Sequence, residues 1–290
     1  MSAISRRRWT WPQLALLGVL CVAAIWACWP AWMDIREQAV GRIDAGYILL
    51  VPFVAGYLFW LRRSRLRFVP CRPSLVGPML ACAAIALTWY GEEIDNHLAR
   101  HLGALMALSA AILSLTGLEA VRQFGAVFLS LLFLCPVPGV IRQELTRPLQ
   151  AIAAGVTADV LELFNVSVIR QGAVLVVRGN PIAVGEACDG MRMVFALALV
   201  VFAFVFSVPF RTGTRVLLIA LSPVIALLVN VIRLLPTSVA YGVTTPERAS
   251  FVHDVAGWAM IPAAIVLLLA LVRLLRWLDL PVFRWRFLSA

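Results

Sequence analysis

The feature that most constrains this chain is a series of apolar stretches, each about as long as a bilayer-spanning helix. Eight are predicted to be spans: 12–33, 45–61, 74–90, 102–117, 121–135, 187–208, 214–235 and 255–276. A helix rises 1.5 Å per residue, so about 20 residues cross a hydrocarbon layer of about 30 Å, and its backbone hydrogen bonds close internally. Hydrophobic residues make up 62% of the chain, more than a soluble domain buries. We therefore predict an all-α polytopic membrane protein with about eight transmembrane helices, forming a single integral membrane domain over residues 1–290.

The arginines indicate which side of the membrane each connection faces. If the spans alternate in direction, fifteen of the 25 basic residues fall on one side: Arg6, Arg7, Arg8, Arg62, Arg63, Arg65, Arg67, Arg72, Arg122, Arg211, Arg215, Arg273, Arg276, Arg284 and Arg286. Only two of the fifteen acidic residues, Glu119 and Asp279, join them there. An arginine excess in short connections marks the cytoplasmic face. We therefore expect a multi-pass protein of the inner or plasma membrane, in contact with membrane lipid and with both termini in the cytoplasm. The arginine clusters are explained by topology, not by binding to nucleic acid.

The segment 136–186 is too long and too polar to be another simple span, and the topology places it outside the cytoplasm. From Leu149 its apolar residues follow helical spacing with polar interruptions, which is typical of an amphipathic helix at the outer interface or of a shallow re-entrant helix. The stretch VSVIRQGAVLVVRGNPIAV alternates, is rich in valine and has turn residues at Gly172 and Gly179, so it predicts a small β-hairpin. This extracytoplasmic insertion leads directly into the sequence GEACDG.

The basic residues and cysteines exclude several chemistries. Every basic residue is an arginine, which rules out a Ser–Lys dyad, a lysine Schiff base and a P-loop lysine. The six cysteines form no CxxC pair or zinc-like cluster, and most lie in apolar stretches where a thiol acts as a small hydrophobe. Cys188 differs because it lies between Glu186 and Asp189 at the start of a span. A thiol that only fills space has no need of charged neighbours.

Three functional groups are predicted at the same end of three consecutive spans. Cys188 lies at the outer end of the sixth span, Arg233 at the outer end of the seventh, and His253 at the outer start of the eighth. Short connections make such spans neighbours in space. A thiolate is a nucleophile, an imidazole transfers protons, and a guanidinium can hold a developing oxyanion. We therefore predict that these three residues are catalytic, because ionisable groups at a membrane boundary are usually functional.

Each of the three residues also has a simpler explanation. Cys188 alone is more often a structural cysteine, Arg233 alone could extend to a lipid phosphate, and His253 could cap a helix or lie at the headgroup level. Their coincidence on one face favours the catalytic interpretation.

A second pair of histidines, His97 and His101, is spaced i, i+4 in DNHLARHLG. This spacing places two imidazoles on one face if the segment is helical. Metal sites need a full ligand set, and the sequence offers only Glu92, Glu93 or Asp95 as a third ligand. The sequence therefore favours an interfacial loop, with no metal and no cofactor.

Three motifs resemble those of a known family. The sequence EACDGMR at 186–192 is similar to E-A-C-S-G-[LI]-R, NVIR at 230–233 is similar to N-x-x-R, and HDVAG at 253–257 is similar to H-x-x-x-G. These are signatures of the exosortase/archaeosortase family of membrane transpeptidases, and their order and spacing agree. The stretch IDAGYILLVPFVAGYLFWLRRSRLR and the region before the cysteine also resemble that family, so the resemblance covers most of the chain.

The resemblance implies a function and a role for each residue. Cys188 would attack a peptide carbonyl and form a thioester, His253 would act as acid and base, and Arg233 would stabilise the thiolate or the oxyanion. The substrates implied are exported proteins with a C-terminal sorting signal, made of a short motif such as Pro-Glu-Pro, a transmembrane helix and an Arg-rich tail. An acceptor, which the sequence does not identify, would resolve the thioester.

One position departs from the family pattern. Asp189 stands where the family commonly has serine, and a carboxylate beside a thiol raises the thiol pKa unless a cation answers it. Arg192, Arg233 and His253 are available as such cations. Glu186, Asp189, Arg192 and Asn230 are therefore candidate supporting residues, and the recognised motif is left open.

Two other functions are alternatives to the enzyme. A transporter would carry ionisable residues at mid-span and discontinuous helices in two related halves, whereas here the charges are predicted at span ends and no repeat is evident. A non-catalytic assembly factor for export of surface protein or exopolysaccharide would leave Cys188 merely structural.

Overall fold

Helices dominate the computed structural model, which describes residues 9–183 and 190–278. The chain divides into two units, Met1–Pro138 and Gly139–Ala290. The described part of the first unit contains α1 (Trp11–Ala27), α2 (Trp29–Gly41), α3 (Val51–Arg62), α4 (Val76–Glu93), α5 (His97–Thr116) and α6 (Leu118–Leu131), with 3₁₀ segments Ile43–Leu50, Arg63–Phe68 and Leu132–Leu134. The described part of the second contains α7 (Gly139–Leu163), β1 (Val168–Gln171), β2 (Val174–Val177), β3 (Asn180–Ala183), α8 (Gly190–Ser207), α9 (Thr212–Ala220), α10 (Ser222–Val243) and α11 (Pro246–Trp277).

Helices occupy all eight predicted span ranges, but the predicted number of spans is not confirmed. Within 9–183 and 190–278, four helical segments are long and apolar enough to cross a membrane: Ala45–Phe68, α5, α10 and α11. The α1–α2 pair, bent by 75° at Cys28, makes a fifth if it is counted as one broken span. The chain is therefore a helical membrane protein with several spans, as the apolar pattern predicted. The total of eight transmembrane helices stays a prediction.

The predicted span 214–235 is two helices rather than one. α9 ends at Ala220, and α10 begins at Ser222 with Pro223 in its first turn. The Ser222 hydroxyl donates to the Ile219 carbonyl at 2.7 Å, which ties the break to the end of α9. Proline has no N–H to continue the preceding helix but suits the first turn of a new one. The apolar pattern runs unbroken through this point, so hydropathy alone did not predict the break.

In the first unit, connections expected on the cytoplasmic side contact one another. The Trp9 indole donates to the Val69 carbonyl at 3.2 Å, and Arg65 Nη1 donates to the Gln123 carbonyl at 3.4 Å. These contacts bring the start of α1, the segment after α3 and the first half of α6 to one end of the unit.

Connections expected on the outer side likewise contact one another. Asp34 on α2 bonds the His101 ring on α5 at 2.8 Å, and the Cys135 thiol lies 4.0 Å from the Leu98 carbonyl. The contacts within this unit therefore sort its connections into the same two groups as the alternating spans.

Small residues bring α4 and α5 into close contact. A Cβ added at Gly77 would lie 2.1 Å from Ser114 Oγ and 2.4 Å from Ser114 Cα. One added at Gly103 would lie 2.2 Å from Thr88 Oγ1. Close backbone approach at small residues is how helices associate in membranes, where no hydrophobic driving force brings them together.

The predicted hairpin is present as part of a three-stranded antiparallel sheet. β1 pairs with β2, and β2 pairs with β3 in the register that sets Leu175 opposite Ile182. Arg178 and Gly179 both have positive φ (51° and 89°), which is the conformation of a two-residue type I′ hairpin turn. The pattern predicted a turn over Gly179, Asn180 and Pro181, whereas Asn180–Ala183 forms a third strand.

The sheet packs against α7 and α10. Buried Leu175, Val177 and Ile182 share a cluster with Ala153 of α7 and Leu234 of α10. The helix that was predicted from Leu149 begins ten residues earlier, at Gly139, and continues through Pro148. The sheet therefore supports the helix that carries Arg233.

Candidate active site

Two of the predicted functional residues lie on a helical hairpin made of α10 and α11. Thr244 and Thr245 form the whole connection, and the Thr244 N–H donates to the Ala240 carbonyl at 2.9 Å. Pro246 begins α11 in the first-turn position that suits a residue without an N–H. With so short a connection the two helices must run antiparallel and side by side.

The hairpin brings Arg233 and His253 to the same level. Arg233 lies about 15 Å before the end of α10 and His253 about 10 Å after the start of α11, at 1.5 Å per residue. The Arg233 Nη2 atom is 2.7 Å from His253 Nε2 and 3.4 Å from Nδ1. Both residues were predicted at the ends of their spans, but the helices continue for two to three turns beyond them. The pair therefore lies within the hairpin.

The geometry fixes the hydrogen-bonding role of His253. A guanidinium nitrogen can only donate, so at 2.7 Å the Nε2 atom of the ring must accept. The shorter contact therefore favours a lone pair on Nε2, directed at the guanidinium. A neutral imidazole in contact with a permanent cation is an arrangement that can accept a proton or pass one on.

Arg233 is almost fully buried, with 3% of its surface exposed. Its carbonyl accepts from the Thr237 hydroxyl at 2.8 Å, and Thr237 is itself fully buried. Burying a guanidinium is costly, so such a residue usually has a partner and a function. The simpler explanation, in which Arg233 extends to lipid phosphate, does not fit a side chain that turns inward to His253.

An apolar cavity of about 330 Å³ lies between α10 and α11 beside this pair. Its lining includes Arg233 and, from α11, Val252, Ala256 and Met260. Arg233 contributes the one charged side chain among the described residues that line it. The cavity is therefore a space in which an apolar group can lie against a guanidinium.

The third predicted residue, Cys188, lies outside the described residues, as do Glu186 and Asp189. Gly190 begins α8, two residues after the cysteine, and Arg192 belongs to the first turn of that helix. α8 packs against the same hairpin, because Leu197 and Val201 share a buried cluster with Val229 of α10 and Met260 of α11. Asn230, half-buried on α10, precedes Arg233 by three residues and so shares its helix face.

The second histidine pair is placed differently from the expectation of a loop. His97 and His101 lie in the first turns of α5, where the Asn96 side chain caps the helix by accepting from the Ala99 N–H at 3.1 Å. Asp34 Oδ2, on α2, lies 2.8 Å from His97 Nδ1 and 2.8 Å from His101 Nε2. Sequence reasoning missed Asp34 because it considered only nearby carboxylates. The available signal was an acidic residue just after the first span, on the same predicted side.

Comparison with known proteins adds one match. The protein-family model described as transmembrane exosortase (Exosortase_EpsH) matches residues 40–270, which include Arg233, His253 and the segment that carries Cys188. No curated protein and no solved structure matches the chain.

Proposed function

Because the chain belongs to the transmembrane exosortase family, we propose that it is a membrane-embedded cysteine transpeptidase or protease that cleaves the C-terminal sorting signal of exported proteins. The observation that carries this proposal is the buried Arg233, whose Nη2 lies 2.7 Å from His253 Nε2. An inert membrane helix has no reason to bury a guanidinium against an imidazole beside a cavity. In this proposal Cys188 is the nucleophile, and it lies outside the described residues.

Arg233 supplies the positive charge in the proposed reaction. A guanidinium stays protonated at any physiological pH, so it can stabilise a thiolate before attack and an oxyanion after it. Its fork carries five N–H donors, so it can bond His253 through Nη2 and also reach a second acceptor.

His253 moves the protons. Its neutral ring takes the proton of the Cys188 thiol as the sulfur attacks the scissile carbonyl. The carbon–nitrogen bond of the resulting tetrahedral intermediate then breaks, and the departing amine receives that proton from the imidazole. An acyl thioester remains on the cysteine. An acceptor nucleophile attacks the thioester, its proton passes to the ring, and the thiolate departs with the electron pair of the carbon–sulfur bond.

The proposed substrate has a sorting motif similar to Pro-Glu-Pro, a transmembrane helix and an Arg-rich tail, which is what family membership suggests. The apolar cavity beside Arg233 supports a substrate that approaches through the membrane, since it offers an apolar wall next to a charged group. The proposed location of the reaction is the extracytoplasmic side, and the acceptor is left open.

The nucleophile is tested by Cys188→Ala and Cys188→Ser in cells whose own copy has been deleted. We expect both variants to insert in the membrane at normal levels and to leave exported proteins with their C-terminal signals uncleaved. The measurement is the intact mass of those proteins. Cys82→Ala is the matched control, because Cys82 is an exposed free thiol on α4, and it should process normally.

The intermediate is tested with a His253→Ala variant. We expect it to acylate slowly, through the thiolate that Arg233 stabilises, and to resolve the thioester more slowly still, because no base then activates the acceptor. The intact mass of the purified variant should exceed that of the chain by the mass of the donor fragment, and the addition should be released by hydroxylamine, which cleaves thioesters. Full processing by either Cys188 variant, or an addition that persists when Cys188 is also replaced, would show that this cysteine is not the nucleophile.

A further inference from the structure

Three side chains from two helices of the first unit direct their metal-binding atoms at one point. Asp34 Oδ2, His97 Nδ1 and His101 Nε2 all lie within 4.8 Å of one another. The carboxylate comes from α2 and both imidazoles come from one face of α5. These residues are separate from the Arg233–His253 pair in sequence, and the proposed function does not use them.

The hydrogen bonds at His97 conflict with one another. Its Nδ1 atom lies 2.8 Å from Asp34 Oδ2, which requires a proton on that nitrogen. The same atom is in close contact with Arg100 Nη2, which requires a lone pair there instead. A single ring nitrogen cannot do both. A cation bound between His97 and Asp34 takes the single lone pair of His97 Nδ1, so both contacts are relieved only if Arg100 moves away from the ring.

The surroundings match those of a metal ligand set. Gln38 Nε2 donates to Asp34 Oδ1 at 3.1 Å, which holds the carboxylate with Oδ2 turned toward the two rings. Ligating carboxylates are generally oriented by such outer hydrogen bonds. The His101 side chain is 1% exposed, and its Nδ1 has no hydrogen-bond partner among the described residues. Moving its proton from Nε2 to Nδ1 therefore breaks no other hydrogen bond there.

We propose that Asp34, His97 and His101 bind one divalent ion of the zinc class and that the ion ties α2 to the start of α5. Two imidazoles and one carboxylate are borderline ligands that suit zinc, whereas calcium and magnesium prefer oxygen ligands alone. Tetrahedral zinc bonds of about 2.0–2.2 Å place neighbouring donor atoms about 3.3–3.6 Å apart. The two carboxylate–imidazole separations of 2.8 Å therefore need to widen by less than about 1 Å. The His97 side chain is 56% exposed, so an ion can reach the cluster from solvent.

Arg100 is the group that the ion must displace. Its Nη2 lies 3.6 Å from Asp34 Oδ2, and its Nη1 lies 3.6 Å from Glu92 Oε2. A guanidinium this close repels a divalent ion, so it lowers the affinity of the site. The effect of removing Arg100 therefore distinguishes a metal site from a metal-free network. Removal should strengthen metal binding at a metal site, whereas it should destabilise a network held together only by ion pairs.

The test uses the full chain without a polyhistidine tag, purified in detergent, freed of metal with a chelator and titrated with zinc or cobalt. We expect one equivalent of zinc to bind and to raise the unfolding temperature, and cobalt to give the visible absorption of a low-coordinate site. Asp34→Asn should weaken binding by at least about 100-fold, since even an outer-shell partner contributes about 10- to 100-fold. Arg100→Gln should bind zinc several-fold more tightly than the wild type.

Two variants serve as controls. Glu37→Gln changes an exposed carboxylate of the same helix and should bind zinc like the wild type. His253→Asn removes the third histidine of the chain and should still bind one equivalent of zinc. Circular dichroism and gel filtration of Asp34→Asn establish that it is folded. Absence of stoichiometric binding, loss of it in His253→Asn, or no gain in Arg100→Gln would overturn the proposal in favour of a permanent ion-paired network or a site elsewhere.

Discussion

At the scale of single residues, the chain places a permanent cation against a neutral base. Arg233 and His253 are twenty residues apart in sequence, and motif spacing was enough to single them out. The direct contact between them was not predictable from spacing, because it depends on where α10 ends and where α11 begins. Asp34 was missed for a similar reason: its partners are 63 and 67 residues away, and only tertiary packing brings them together.

The shape of the guanidinium matters as well as its charge. We expect Arg233→Ala to lower the rate of substrate processing by about 10²–10³-fold, the usual cost of losing one oxyanion donor. Arg233→Lys should recover only part of that loss, because an ammonium keeps the charge but lacks the fork that reaches His253 and a second acceptor together. The measurement is the rate at which an exported substrate loses its C-terminal signal. Equal rates for lysine and arginine would indicate that charge alone is required.

At the scale of elements, the apolar pattern predicted where helices lie but not where they break. It placed the amphipathic helix and the hairpin correctly before α8. It missed the break before Ser222, because apolar residues continue on both sides, although the Ser-Pro dipeptide was a usable signal. It also started α7 at Leu149, whereas the helix begins at Gly139 and continues through Pro148. Hydropathy indicates which segments can lie in lipid, but it does not indicate where residues such as serine and proline start or end a helix.

The α4–α5 contact offers a test at this scale. We expect Gly77→Ala to destabilise the protein by about 1–3 kcal/mol or more, because the new methyl group would meet the backbone of Ser114, which cannot rotate away. Gly56→Ala is the control, since a Cβ there meets no atom within 4 Å. The measurement is thermal unfolding in detergent followed by far-ultraviolet circular dichroism. A Gly77→Ala protein as stable as the control would mean that the two helices can separate at no cost.

At the scale of the whole molecule, the distribution of arginines predicts which end of the first unit faces the cytoplasm. Contacts such as Trp9 with Val69 and Asp34 with His101 show which connections share an end. Which end faces the cytoplasm rests on the arginines. The two units have separate packed cores, so a single membrane domain across 1–290 stays a prediction.

Orientation can be measured with single cysteines introduced into a variant that lacks the native ones. Ser64→Cys lies in the arginine-rich segment after α3, and Glu93→Cys lies at the end of α4; both positions are exposed. We expect a membrane-impermeant maleimide to label Glu93→Cys in intact spheroplasts and Ser64→Cys only after lysis. The reverse pattern would place the termini outside the cytoplasm and the proposed reaction inside it.

The two-residue connection at Thr244–Thr245 has a consequence for how the site can work. The guanidinium of Arg233 and the imidazole of His253 lie on two helices joined by this short connection. Their relative position is therefore set by the fold, before any substrate binds. The α10–α11 hairpin can move as a rigid unit when other helices rearrange, and the contact between Arg233 and His253 is then preserved. In the proposed reaction an incoming peptide bond would meet a preassembled pair, because the ordering entropy of those two side chains is lost on folding and not during turnover.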